Sequence, residues 1–281
     1  SESYPRKTCY RICSLKTRMY PYITLGGGEN EIHIFTFWIT LIITTFLFGW
    51  MLRKLSKKSG VNFRFFSRNF LLFIVSILIF GRLFYFLEHI DQWNYSIKYG
   101  VQTILFSTNY NLSLIGSIFG FLAVLLGKVE SFWLNRDKYL DISVLSFLFA
   151  SWVGWIGWFI SEVIYGQNTL LPIWISYNNP DTTVPLWWDL FPLGILYSVI
   201  TFFLFFFIYT MNQTAKIHGL GSALGLIGFS LMLFVWEFFD GARENNPLLF
   251  WYFSLTQICC ILIFFLWSRE LSKFVIRPLQ K

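Results

Sequence analysis

The chain has 281 residues, of which 56% are hydrophobic, 22% aromatic and only 13% charged, with a formal net charge of +7. Soluble globular chains carry about 25% charged residues, so lipid rather than water is the expected solvent for most of this surface. Continuous apolar runs disfavour a β-barrel, whose strands alternate. The basic excess calls for no nucleic acid, since loop cations drawn to anionic lipid account for it.

In chain order, residues 1–18 form a basic arm with Arg6, Lys7, Arg11, Lys16 and Arg18 against Glu2. It lacks the apolar core of a secretory signal. It reads as a surface-lying arm, a partner-docking tail or a stretch ahead of an alternative start at Met19. Cys9 and Cys13 lie in it with no histidine cluster, which is weak evidence for metal. No metal site and no cofactor are expected.

Seven apolar runs follow near 33–52, 69–87, 111–127, 140–164, 187–211, 220–239 and 248–267. A membrane-crossing helix needs about 20 apolar residues, so the expected class is an all-α polytopic membrane protein with seven transmembrane helices. One such domain spans 19–270, and 271–281 is a basic tail. The first, third and fifth loops and the stretch from Arg269 to Lys281 hold 14 Lys and Arg, while the alternate loops hold only Lys98 and Arg243. The positive-inside rule then places the C-terminus in the cytoplasm and, with seven spans, the N-terminus outside. The loop from Gly166 to Trp187 lacks Lys and Arg and reads as an irregular outer cap. Cys259 and Cys260, inside the last run, read as small hydrophobes.

Ionisable residues inside spans are candidate functional groups, because a charge in hydrocarbon needs a partner. Arg82 lies late in the second span, Glu162 late in the fourth and Glu237 at the end of the sixth. These three spans run in the same direction, so the three residues share one level of the membrane. Two readings stand. Either Arg82 grips a phospholipid headgroup in a polar cavity, or it forms an ion pair with Glu162 that locks helix packing; the lock is the favoured one. Glu88 and Asp240, at span ends, read as interfacial acids. "GSIFG" (116–120) and "GWIG" (154–157) are small-residue patterns that let membrane helices approach closely.

Several stretches in order resemble the prolipoprotein diacylglyceryl transferases, seven-helix enzymes that move diacylglycerol from phosphatidylglycerol to a protein cysteine. They are "MYPYITLGGGENEIHIFTF" (19–37, with His33), "GRLFY" (81–85), "NLSLIGSIFGFLAVLL" (111–126), "LDISVLSFLFASWVGWIGWFISEVIYG" (140–166) and "GSALGLIGFSLMLFVWEFF" (221–239). The resemblance implies a bacterial plasma (inner) membrane location and a lipid site. It also marks departures. The family's histidine that helps activate the thiol corresponds to Ile115. Its phosphate-holding arginine corresponds to Trp155, two asparagines to Trp158 and Ser161, and a further arginine to Leu233. Arg82, Tyr85, Asp141 and Glu237 keep the family pattern.

A thiol near pKa 8.5 is only a few per cent ionised at neutral pH without help, and loss of phosphate clamps removes transition-state stabilisation. The expectation is therefore a non-catalytic relative with no catalytic residues, a membrane subunit that binds phospholipid through Arg82, Tyr85, Glu162 and Glu237. Its protein partners would be other membrane proteins or a lipoprotein. The alternatives are a divergent active transferase, with Glu162 and His89 as an acid–base pair and Arg82 on phosphate, and thirdly a transporter or channel.

Overall fold

The structure is a computed structural model that describes residues 22–25, 32–88, 112–131, 134–169, 175, 190–215, 217–241 and 253–276. The N-terminal arm with Cys9 and Cys13, His89, most of the loop before Trp187 and the end of the basic tail lie outside the described residues. Each apolar run forms a helix. These are α1 (Thr36–Ser59), α3 (Phe70–Glu88), α4 (Leu114–Ser131), α5 (Arg136–Ile160), α6 (Leu193–Ala215), α7 (Leu220–Trp236) and α8 (Leu255–Ile276). The short α2 (Arg64–Arg68) bridges α1 and α3, and α7 ends in a 3-10 turn, Glu237–Phe239. Among the described residues, six helices can cross a membrane by length and composition: α1, α3, α5, α6, α7 with its 3-10 turn, and α8.

The all-α expectation needs one addition. β1 (Tyr22–Leu25) and β2 (Ile32–Phe35) pair antiparallel, Tyr22 opposite Phe35 and Thr24 opposite His33. The first apolar run thus enters as a strand before turning helical at Thr36. Its β-branched alternation, Ile32 and Ile34 flanking His33, fits a strand as well as a helix over so short a length.

Helix α5 is the central post. In it 67% of the most apolar window is buried, against 11% in α3 and 17% in α1, so α5 is wrapped by protein while the outer helices face lipid. It packs on α1, α6 and α7. The outer faces expose side chains that only hydrocarbon solvates well, such as Phe46, Leu71 and Phe203.

The small-residue patterns act as expected. A Cβ on Gly120 would lie 2.5 Å from the Ser76 carbonyl oxygen, and one on Gly116 would meet Phe80 O. The Ser76 hydroxyl donates to Gly120 O at 2.8 Å, so α3 and α4 touch backbone to backbone. In "GWIG" the close contact is Gly157 against Thr40 of α1.

Helix α5 begins where the Asn135 side chain accepts the Lys138 N–H and stops at Ile160, four residues before the end of the apolar run. There the Glu162 N–H donates to Phe159 O at 3.2 Å and the Val163 N–H to Trp158 O at 3.0 Å. This pair of bonds is the Schellman helix end, and the left-handed residue is Glu162, φ 60°. Glycine usually fills that place, because a Cβ there meets backbone. Glu162 is therefore just past the helix, not inside it.

Candidate functional site

The ends of α3, α5 and α7 converge with the beginnings of α4, α6 and α8 around a cavity of about 350 Å³. The convergence follows from alternating helix direction, as the sequence indicates for spans two, four and six. Backbone bonds stitch the rim. The Gly166 N–H donates to Phe191 O at 3.0 Å, the Gln167 N–H to Phe239 O at 2.9 Å and the Gly241 N–H to Tyr165 O at 3.0 Å. The segment after α5 is thereby tied to the entry of α6 and the exit of α7, which places Asp240 on the cavity wall.

Among the described residues, three carboxylates line this space: Glu88, Glu237 and Asp240. Glu88 closes α3, and its Oε1 accepts from the Ser113 hydroxyl at 2.8 Å and from Thr256 at 3.2 Å. One carboxylate oxygen so joins α3 to the starts of α4 and α8. Glu237 accepts from the Ser254 hydroxyl at 3.0 Å. Ser254 is itself the N-cap of α8 in a reciprocal box. Its N–H donates to Gln257 Oε1 at 3.1 Å and the Gln257 N–H returns to Ser254 Oγ at 3.2 Å. Gln257 is fully buried and also donates to Phe234 O at 3.3 Å. The polar wall is therefore held by capping geometry, with Tyr85 and Tyr197 completing it.

The opposite wall is aromatic and aliphatic. Trp155 stacks on Tyr197 with centroids 4.5 Å apart and 30° between planes, and meets Trp158 edge-on at 5.2 Å. Ile115 and Leu233 are among its aliphatic side chains. Behind this wall is a second cavity of about 300 Å³ with a largely apolar surface, lined mostly by α1, α4 and α5 and including the hydroxyl residues Thr44, Thr45, Ser117, Ser143 and Ser151. Leu114, Trp155 and Trp158 border both spaces. Trp155 is 4% exposed, and its indole N–H and the Thr44 hydroxyl oxygen are buried with no hydrogen-bond partner among the described residues.

Four of the five positions that the resemblance sets against the family's polar groups, Ile115, Trp155, Trp158 and Leu233, thus reach one cavity, while Ser161 is outside its described lining. A family model confirms the relationship: the prolipoprotein diacylglyceryl transferase model matches residues 23–268. The chain belongs to that family. No curated protein matches it. With several helices able to cross a bilayer, this family member is a multi-pass membrane protein.

Of the residues singled out in the sequence, Tyr85 and Glu237 line the cavity. Arg82, half-buried one turn before Tyr85 on α3, and Glu162, 3% exposed between the lining residues Trp158 and Val163, are outside its described lining. Asp141 is elsewhere, near the far end of α5. It accepts the backbone N–H groups of Gly219 at 2.7 Å and Ser222 at 2.6 Å and so caps α7 from a neighbouring helix.

Glu88 and Asp240, read as interfacial acids at span ends, both line the cavity. Ser113, Ser254, Thr256 and Tyr197 are site residues that the sequence reading does not single out. The Ser-x-x-Gln spacing of Ser254 and Gln257 is nonetheless a legible helix-start signal, and it puts the start of the last span at 255 rather than 248. Nothing in the local sequence points to Ser113 or Tyr197, because their roles depend on which helices meet.

Proposed function

We propose that this chain is a non-catalytic member of its family, a seven-span subunit of the bacterial plasma membrane, N-terminus outside, that holds a phospholipid and docks other membrane proteins or a lipoprotein. The observation that carries the reading is the cavity wall at Ile115, Trp155, Trp158 and Leu233. None of these side chains can take a proton from a thiol, and none carries a positive charge for a departing phosphate. Stacked rings fill the space instead. The pairing of a polar cavity with an apolar one across Trp155 supports lipid binding, since a lipid needs both environments at once. Tyr85 and Glu237 would face the headgroup, with Arg82 and Glu162 close behind.

The test is direct. Purified protein is mixed with phosphatidylglycerol bearing labelled diacylglycerol and with a lipobox peptide. No transfer is expected, while phospholipid and partner proteins co-purify in mild detergent. Transfer of label to the peptide, or rescue of a cell lacking the family enzyme, overturns the reading.

A divergent transferase is the second reading, and it has one specific support. Glu88, Glu237 and Asp240 give the cavity groups that can exchange protons. It requires that Glu237→Gln and Arg82→Ala abolish a measurable transfer.

A further inference from the structure

The last turns of α1 and the short α2 form an elbow that carries Arg53, Lys54, Lys57, Lys58, Arg64 and Arg68. All six are exposed. Beneath them Met51, Leu52, Leu55, Phe65 and Phe66 are buried, and Phe65 meets Tyr139 of α5 at 4.9 Å. The elbow is therefore a firmly seated platform, with its apolar side inward and its cations outward.

Nothing among the described residues neutralises it. No Asp or Glu occurs between Ile32 and Leu87, and none of the six cations makes an ion pair among the described residues. Of the acids at the neighbouring helix ends, Asp137 and Glu270 face Arg136 instead. The six cations come as three like-charged pairs four residues apart: Arg53 with Lys57, Lys54 with Lys58, and Arg64 with Arg68. Such pairs repel and weaken a helix. The dipole of α1 favours Lys57 and Lys58 in its last turn but gives no reason for Arg64 at the start of α2.

The surroundings of these cations are aromatic and apolar. Lys54 Nζ sits 5.0 Å over the ring of Trp50, and Lys58 Nζ 5.6 Å over Tyr209. Trp50 is 47% exposed, and Phe70 and Leu71, directly after the elbow, are 55% and 75% exposed. An exposed tryptophan and lysines beside bare apolar side chains mark the border between hydrocarbon and headgroups. Phe70 and Leu71 open the lipid-facing side of α3, so the six cations stand at the level where the phosphates of diacyl lipids lie.

We propose that the α1–α2 elbow binds the phosphate groups of net-anionic diacyl lipids, on a surface separate from the two cavities. Six cations at the headgroup level draw anionic lipid, and the attraction fades with salt.

The full chain in mild detergent is offered phosphatidylglycerol and phosphatidylcholine of identical acyl chains, and bound copies are counted by native mass spectrometry. Wild type is expected to carry an excess of phosphatidylglycerol that shrinks as salt is raised. Lys57→Gln, Lys58→Gln, Arg64→Gln and Arg68→Gln combined should remove it, with apparent affinity falling about fivefold per charge lost. Arg64→Lys with Arg68→Lys, which keeps the charge, should retain it. Glycerol phosphate, which has the anion without chains, should not displace the lipid.

A wild-type ratio in the four-site variant overturns the proposal and leaves the cavity reading standing, since the anionic lipid is then bound elsewhere. Displacement by glycerol phosphate also overturns it, because the surface would then be a general anion site. Lipid copies indifferent to headgroup charge and to the four substitutions belong to the cavities, so loss of those alone counts against the cavity reading only.

Discussion

The carboxylate of Asp141 accepts the backbone N–H of Gly219 at 2.7 Å across two helices, and a second oxygen takes the Ser222 N–H at 2.6 Å. An α-helix leaves its first N–H groups without internal partners, and α7 takes its acceptor from α5 rather than from its own N-cap, which is a glycine. Asp141 is 3% exposed, so these bonds have little competition from water.

Asp141→Ala leaves those donors buried and should cost about 2–3 kcal/mol of stability, with Asp141→Asn milder because one acceptor remains. Thermal unfolding in detergent measures both. Lipid binding at the far end of α5 should be unchanged in whatever protein remains folded; intact stability with lost lipid would contradict a capping role.

Glu162 occupies the left-handed position of the α5 helix end. Glu162→Ala and Glu162→Gly both delete the carboxylate, so the difference between them isolates the backbone. The glycine variant should be the more stable by about 1 kcal/mol. Equal melting temperatures would show that the backbone carries no strain there.

Gly120→Val drives side-chain atoms into the Ser76 carbonyl and the bond that Ser76 makes to Gly120 O. It should destabilise by about 1–3 kcal/mol through overpacking. Gly49, with nothing within 4 Å of an added Cβ, is the control. Gly49→Ala should be neutral or stabilise by up to about 1 kcal/mol, and the same unfolding experiment reads both.

Trp155 separates the two cavities together with Leu114 and Trp158. Trp155→Ala should cost about 3–5 kcal/mol and join spaces of about 350 and 300 Å³, raising the number of bound lipids per protein seen by mass spectrometry. Trp155→Phe, which can still stack on Tyr197, should cost less and keep the spaces apart.

The broad outline is legible in the residues because hydrocarbon imposes so simple a rule. Each apolar run of helical length is a helix, and the spacing of Gly116 and Gly120 announces a close helix contact, though not that its partner is α3. The order of motifs is enough to identify the family, and the cavity positions Ile115, Trp155, Trp158 and Leu233 are legible through that resemblance. Local sequence is weaker at the ends of helices. Glu162 reads as helical because apolar residues flank it, whereas the helix ends two residues earlier, at Ile160, through backbone bonds that composition does not encode.

By itself the sequence determined the solvent, the helices and their alternating direction, since these depend on hydropathy and on charge counted along the chain. Only the tertiary structure decided that Glu88 and Asp240 face a cavity, that Asp141 caps a distant helix and that Trp155 divides two spaces. Each of these depends on which helix ends meet. A side chain's partner across the bundle is fixed by packing between segments remote in the chain, about which local spacing is silent.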